Sequence, residues 1–145
     1  MDIPVVRCSV SGGSLPEYKS AGASGADLCA LLTEDLVLKP GMRALVPTGV
    51  RLEIPRGLEG QVRPRSGLAL QSGITILNSP GTVDSDYRGE LKIILINLGE
   101  SDFRVRNGDR IAQIVFSPVV RVTFLRQDEI AATTRGSGGF GSTGV

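Results

Sequence analysis

A single all-β domain, built as a β-sandwich, jelly roll or barrel, is the fold class this sequence predicts, and three observations predict it. Nineteen glycines and eight prolines in 145 residues make nearly a fifth of the chain, against about 12% in an ordinary domain. That excess works against long helices, because an interior Gly or Pro costs roughly 1 or 3 kcal/mol relative to Ala. Short apolar or β-branched runs recur between clusters of Pro, Gly, Asn and Asp, the spacing of strands joined by tight connections. Only two tyrosines and four phenylalanines are present, so the core has to be packed mainly from Val, Ile and Leu.

In chain order, strands are expected at about 3–9, 26–32, 35–38, 42–53, 58–63, 74–77, 91–97, 102–106, 110–116 and 118–125. The first carries Ile3, Val5, Val6 and Cys8, and the second begins where the small residues Ala21 to Gly25 give way to Ala26-Asp27-Leu28. Lys39-Pro40-Gly41 closes the third, and Ile54-Pro55-Arg56-Gly57 separates the long fourth run from the fifth. Residues 67–72 are the one helical stretch, a turn or two after Pro64. Asn78-Ser79-Pro80-Gly81 ends the sixth strand, and Arg106-Asn107-Gly108-Asp109 turns the chain into 110–116. Asn-Gly and Pro-Gly mark such turns because they supply a positive φ or a preset one. From Thr133 onward glycine, serine and threonine dominate around a lone Phe140, a composition that cannot make a core. The chain therefore divides into a β domain over 1–126 and a flexible Gly-rich C-terminal arm over 127–145.

Sixteen basic against fifteen acidic residues leave a net charge of +1, which suggests no nucleic acid and no membrane as partner. There is no histidine, so Ser-His and Cys-His nucleophile pairs and imidazole metal sites are excluded. Catalysis has to run on carboxylates, hydroxyls, backbone amides or a metal held by oxygen. Cys8 and Cys29 are too few for a disulfide framework and lie in no metal-ligand spacing. Met1-Asp2-Ile3-Pro4 lacks the basic and apolar regions of a signal peptide, and no apolar run approaches the ~20 residues of a membrane span. A soluble, cytoplasmic domain is expected.

Five segments carry candidate chemistry. Small residues surround one carboxylate in Ser24-Gly25-Ala26-Asp27-Leu28, as a backbone packed close to a ligand needs. Pro64-Arg65-Ser66-Gly67-Leu68 leads into the helical stretch, so Ser66 reads either as its N-cap or, beside Arg65, as part of an anion site. In Gly81-Thr82-Val83-Asp84-Ser85-Asp86-Tyr87-Arg88-Gly89 the acidic residues are either turn caps or, for Asp84, a general base. Gln113 is the odd polar residue of Gly108-Asp109-Arg110-Ile111-Ala112-Gln113, either a satisfied strand amide or a ligand contact. Gly136-Ser137-Gly138-Gly139-Phe140-Gly141 matches G-x-G-x-x-G but has no room for the helix that a dinucleotide fingerprint requires. What survives there is a flexible string of N–H donors beside Arg135, suited to phosphate.

In this order, and closed by Arg135 to Ser142, the five segments resemble the motif series of the trimeric dUTP pyrophosphatases, over nearly the whole chain. The resemblance implies a jelly-roll-like β fold and a homotrimer with composite active sites at subunit interfaces, the C-terminal tail arriving from a neighbour. It implies hydrolysis of dUTP to dUMP and pyrophosphate with Mg²⁺. Asp84 then matches the carboxylate that orients and deprotonates the attacking water, a modest base serving mainly by positioning. Tyr87 would lie under the deoxyribose and reject a 2′-hydroxyl. Asn78 and the backbone through Gly81, Thr82, Val83 and Lys92 would read the uracil edge, where each buried group left unpaired by cytosine costs roughly 1–3 kcal/mol. Arg65, Ser66 and Gly67 match the phosphate motif, with Gln113 supporting the phosphates or the backbone around them. Asp27 would hold Mg²⁺ through water. Arg135 would neutralise the γ-phosphate, while Phe140 and Gly141 belong to the lid that closes over uracil.

Three rivals share part of this pattern. A dCTP deaminase, of similar fold, carries a catalytic Glu five residues beyond the hairpin glycine; after Gly89 that place is Ile94, which moves no proton. A nucleotide sensor would keep the pocket without turnover, against which the intact Asp84 argues. A capsid-like structural jelly roll leaves the five ordered motifs unexplained.

Overall fold

The computed structural model describes residues 3–144. Among them ten strands and one helix follow in the order β1 (Arg7–Val10), β2 (Ala26–Cys29), β3 (Leu36–Leu38), β4 (Arg43–Glu53), β5 (Leu58–Arg63), α1 (Ser66–Ser72), β6 (Ile74–Ile76), β7 (Gly81–Val83), β8 (Glu90–Asn97), β9 (Phe103–Val105) and β10 (Arg110–Pro118). The strands form two four-stranded sheets, β1-β4-β8-β6 and β2-β10-β5-β7, with a separate β3-β9 pair, in a jelly-roll-like β fold. Every pairing is antiparallel.

Alternation decides which face of each strand is buried. Along β8, Leu91, Ile93, Leu95 and Asn97 point inward while Lys92 is exposed. The inward residues of both sheets form one core, in which Leu28, Ile74, Ile93, Leu95, Ile111 and Ile114 are fully enclosed. Branched aliphatics fill it, as the aromatic-poor composition requires. Among the described residues two polar side chains, Thr48 and Asn97, share the interior, and both are satisfied. Thr48 Oγ1 donates to the Leu91 carbonyl at 2.7 Å and accepts from the Val50 N–H at 3.2 Å. Asn97 Nδ2 donates to the Leu38 and Ser101 carbonyls, both at 2.8 Å, and its Oδ1 accepts from the Gly99 N–H at 2.9 Å. A buried amide so bonded ties the β3 end, the β8 end and the following loop together.

Four expectations need correction. The first strand is Arg7–Val10, not 3–9, because only those residues reach β4 to pair with it. Gly81–Val83, which falls in none of the expected strands, is a strand paired to β5 through Gly60↔Val83, Gln61↔Thr82 and Val62↔Gly81. Residues 119–125 form no strand: the alternating Val120, Val122 and Phe124 are 87%, 65% and 92% exposed, and alternation without a partner edge makes no ladder. The helix begins at Ser66 with Arg65 as its N-cap residue and no side-chain cap bond, so Ser66 is not the cap and its hydroxyl is free of that duty.

Candidate active site

Two cavities hold most of the residues singled out from sequence, and they share no lining residue. The first is a cleft of about 580 Å³ between β7, the turn after it and β8. Asn78, Gly81, Thr82, Val83, Asp84, Tyr87 and Lys92 all line it. The turn is set locally: the Tyr87 N–H donates to the Asp84 carbonyl at 3.1 Å, and Arg88 Nη1 donates to the Ser85 carbonyl at 2.7 Å. Asp84 is thereby left exposed at the cleft and stands in no ion pair among the described residues. Tyr87 turns back over the hairpin, its hydroxyl donating to the Glu90 carbonyl at 3.0 Å. Its ring lies so close to Gly89 that a Cβ there would fall on the phenol. Glu90 is itself fixed, accepting from the Gly49 N–H at 2.8 Å within the β4 irregularity between Pro47 and Arg51.

The second cavity, about 260 Å³, is a cationic corner where β2, β10 and the end of β5 meet. Asp27, Arg65, Ser66, Gly67 and Gln113 line it together with Lys19 and Arg110. The register puts Asp27, Gln113 and Arg63 in one row across three strands, so their side chains share a face. Asp27 is only 13% exposed at its side chain, with Oδ1 3.5 Å from Arg65 Nε and Oδ2 3.1 Å from Arg110 Nη1. Arg65 Nη1 also donates to the Arg110 carbonyl at 3.1 Å. Gln113 Nε2 donates to the Pro64 carbonyl at 3.0 Å, which anchors the turn carrying Arg65 and Ser66, and a Cβ on Gly25 would collide with the Gln113 carboxamide oxygen.

Arg135, Phe140 and Gly141 line neither cavity. Arg135 Nε donates to the Gly138 carbonyl at 2.8 Å within a run of tight turns, and Phe140 projects into solvent. One chain thus holds a cleft with an exposed carboxylate, a separate cationic corner, and a tail that lines neither.

The family model described as dUTPase matches residues 12–144. The chain belongs to the dUTPase family. The deoxyuridine 5'-triphosphate nucleotidohydrolase of Chlamydia pneumoniae is 63% identical over 136 residues, covering 93% of this chain and 94% of that one. The dUTPase of Staphylococcus bacteriophage 80alpha, solved with dUpNHpp, superposes with a TM-score of 0.88 at 25% identity over 99% of this chain and 100% of the other. A dUTPase of phage phi11 of S. aureus, described with a structural Mg(II) ion, has a TM-score of 0.79 at 21% identity over 89% and 100% of the two chains; that likeness concerns the fold.

Sequence reasoning did not pick out Arg110, Lys19, Arg51 or Glu90 as lining residues of this dUTPase's cavities. Arg110 left a signal, the adjacent apolar pair Ile111-Ala112 that breaks strand alternation. Lys19, Arg51 and Glu90 left none, being ordinary charged residues of loop or strand.

Proposed function

We propose that this dUTPase hydrolyses dUTP between the α- and β-phosphates at sites assembled from more than one chain of a homotrimer, with Asp84 as the base. The chain is a hydrolase that converts dUTP to dUMP, lowering dUTP and supplying dUMP for dTTP synthesis. The observation that carries the residue assignment is the exposed Asp84 carboxylate closing a hairpin whose Gly81–Val83 strand lines a cleft of nucleoside size.

In that cleft the Asn78 amide and the backbone of Gly81, Thr82, Val83 and Lys92 meet the edge of uracil, and the Tyr87 ring packs under C2′ of the sugar. Asp84 orients a water and takes its proton as the water oxygen bonds to the α-phosphorus. The α–β bridging oxygen leaves with pyrophosphate, its charge met by Arg65, Ser66 and Gly67. Proton transfer to a positioned carboxylate contributes about 10²–10⁴-fold in rate. Among the described residues no group of three or more Asp, Glu, Cys or His side chains is placed to hold a metal. The donor set fits a Mg²⁺ carried by phosphate oxygens and steadied through water by Asp27, whose carboxylate keeps lone pairs beyond those facing its two arginines. When bound, the ion supplies neutralisation of the triphosphate charge.

Two features support the trimer. Leu45, Ile94 and Leu77 lie in a row across β4, β8 and the end of β6 on the outer face of the first sheet, with Leu45 and Leu77 exposed; Leu45 and Ile94 also line the cleft, so a neighbouring subunit seated on this apolar stripe would border the substrate. The separation of cleft, corner and tail within one chain is the other: Arg135, Phe140 and Gly141 complete a site only on a neighbouring subunit. The β domain over 1–126 and the arm over 127–145 are the proposed units, the arm closing as a lid over bound uracil. Both cysteines are free, as suits the reducing cytoplasm in which we place the enzyme, and no described helix is long and apolar enough to cross a membrane.

The test is turnover of dUTP with Mg²⁺, products identified, beside dCTP, dTTP and UTP and an Asp84→Asn variant. Release of dUMP and pyrophosphate from dUTP alone, reduced by about 10² or more in the variant, is the expected result. Undiminished turnover by Asp84→Asn would remove Asp84 as the base.

A further inference from the structure

The first residue of β10 is placed by an irregularity. Its register against β2 runs Arg110↔Cys29 and then Ala112↔Leu28, so Ile111 is extra. Ile111 and Ala112 are consecutive and both are buried, at 2% and 0% exposure. Strict alternation would put Arg110 on the inward face with Ala112 and Ile114. The bulge inverts that parity and delivers Arg110 to the outer face shared by Gln113 and Asp27. Bulges beside active sites commonly re-aim a side chain in this way.

Once there, Arg110 does not pair with whatever acid is nearest in sequence. It meets Asp27, eighty-three positions away, Nη1 to Oδ2 at 3.1 Å. The other oxygen of the same carboxylate faces Arg65. Two guanidiniums would repel each other in this corner without the carboxylate between them. A guanidinium has five N–H donors, and each arginine engages only part of its fork with Asp27 and the Arg110 carbonyl. The remaining donors belong to side chains that line the corner with Ser66 and Lys19. A fork half-used by a carboxylate and half-free at a cavity mouth can take non-bridging oxygens of a polyphosphate.

We propose that Arg110 joins Arg65 as a second guanidinium of the corner that binds the polyphosphate, and that Asp27 is the positioning residue that holds Arg110 and Arg65 apart and aligned. This rests on the corner being where the triphosphate of dUTP binds. Asp27 acts here through the arginines, whatever it does for a hydrated metal.

The experiment is calorimetric binding of inorganic pyrophosphate and of deoxyuridine to the full chain in EDTA, for wild type, Arg110→Gln, Arg110→Lys, Asp27→Asn and the Arg110→Gln/Asp27→Asn double variant. Arg110→Gln should weaken pyrophosphate about tenfold or more, the scale of a charge-assisted hydrogen bond, and leave deoxyuridine unchanged. Arg110→Lys should recover part of the loss. Asp27→Asn gives the sharper sign. Removing a negative charge from an anion site tightens binding if only through-space charge matters, and loosens it if the carboxylate positions the arginines. Loosening is expected, with the double variant losing less than the sum of the singles. Wild-type pyrophosphate affinity in Arg110→Gln, no pyrophosphate binding by wild type, a parallel loss of deoxyuridine, or tighter binding by Asp27→Asn would each overturn the proposal. A wild type that does not turn over dUTP at all would instead overturn the functional reading beneath it.

Discussion

Replacing Gly89 by alanine should separate stability from substrate choice. An added Cβ would stand 2.5 Å from Tyr87 Cζ and 2.8 Å from Cε2, where carbon atoms rest at about 3.5–4.0 Å. The ring has to move by about 1 Å or more to relieve that contact. Tyr87 is 46% exposed, so its cheapest escape is to swing toward solvent. The folded state then loses the 3.0 Å bond from the Tyr87 hydroxyl to the Glu90 carbonyl, a net loss of about 1 kcal/mol at an exposed site. Function should suffer more, since a displacement of about 1 Å in a positioning group can cost 10²-fold. The expected outcome is a kcat/KM for dUTP reduced about 10–100-fold, UTP reduced much less, and a urea midpoint close to wild type. Parallel kinetics on dUTP and UTP with urea unfolding measure all three. If discrimination against UTP stays at the wild-type value while dUTP turnover falls, the Tyr87 ring is not the surface that excludes the 2′-hydroxyl. Unchanged kinetics on both would show that the ring does not bear on the sugar.

Other expectations follow from the same contacts. Gly25→Ala places a Cβ 2.9 Å from Gln113 Cδ and 3.1 Å from its Cβ; losing the Gln113–Pro64 bond should loosen the Arg65 turn and raise KM about tenfold, read by steady-state kinetics. Asn97→Leu leaves the Leu38 and Ser101 carbonyls and the Gly99 N–H without their partner, and should cost about 3–5 kcal/mol in urea unfolding. Deleting 133–145 removes Arg135 and Phe140 but no sheet residue, so turnover should fall by about 10² while sedimentation still reports the wild-type assembly.

The all-β class and most strand positions were legible because burial follows alternation, and β8 shows it cleanly: Leu91, Ile93 and Leu95 inward, Lys92 outward. The turns were legible because Pro-Gly and Asn-Gly leave the backbone few choices. Gly81–Val83 escaped because a three-residue strand opening on glycine carries no period to read. Residues 119–125 misled for the opposite reason, having the period but no neighbour within the chain. At the site, residue types were legible and partnerships were not. Nothing in the sequence announces that Asp27 stands between Arg65 and Arg110, since that contact depends on a bulge and on three strands brought side by side. That the hairpin and the cationic corner open into separate cavities is a fact of three dimensions alone.

That separation bears on how defects combine in a cell. A chain with Asp84→Asn still has a sound corner, and a chain with Arg65→Ala still has a sound hairpin. Either alone should be inactive. Co-expressed in equal amounts and mixed at random, they should form threefold assemblies in which about a quarter of the sites join the two sound halves. Two null alleles would thus complement within one gene product by rebuilding sites from their sound halves. Conversely, in the proposed homotrimer a single defective allele should lower the output of assemblies that also contain healthy chains, so that mutation would act on the assembly rather than on the polypeptide.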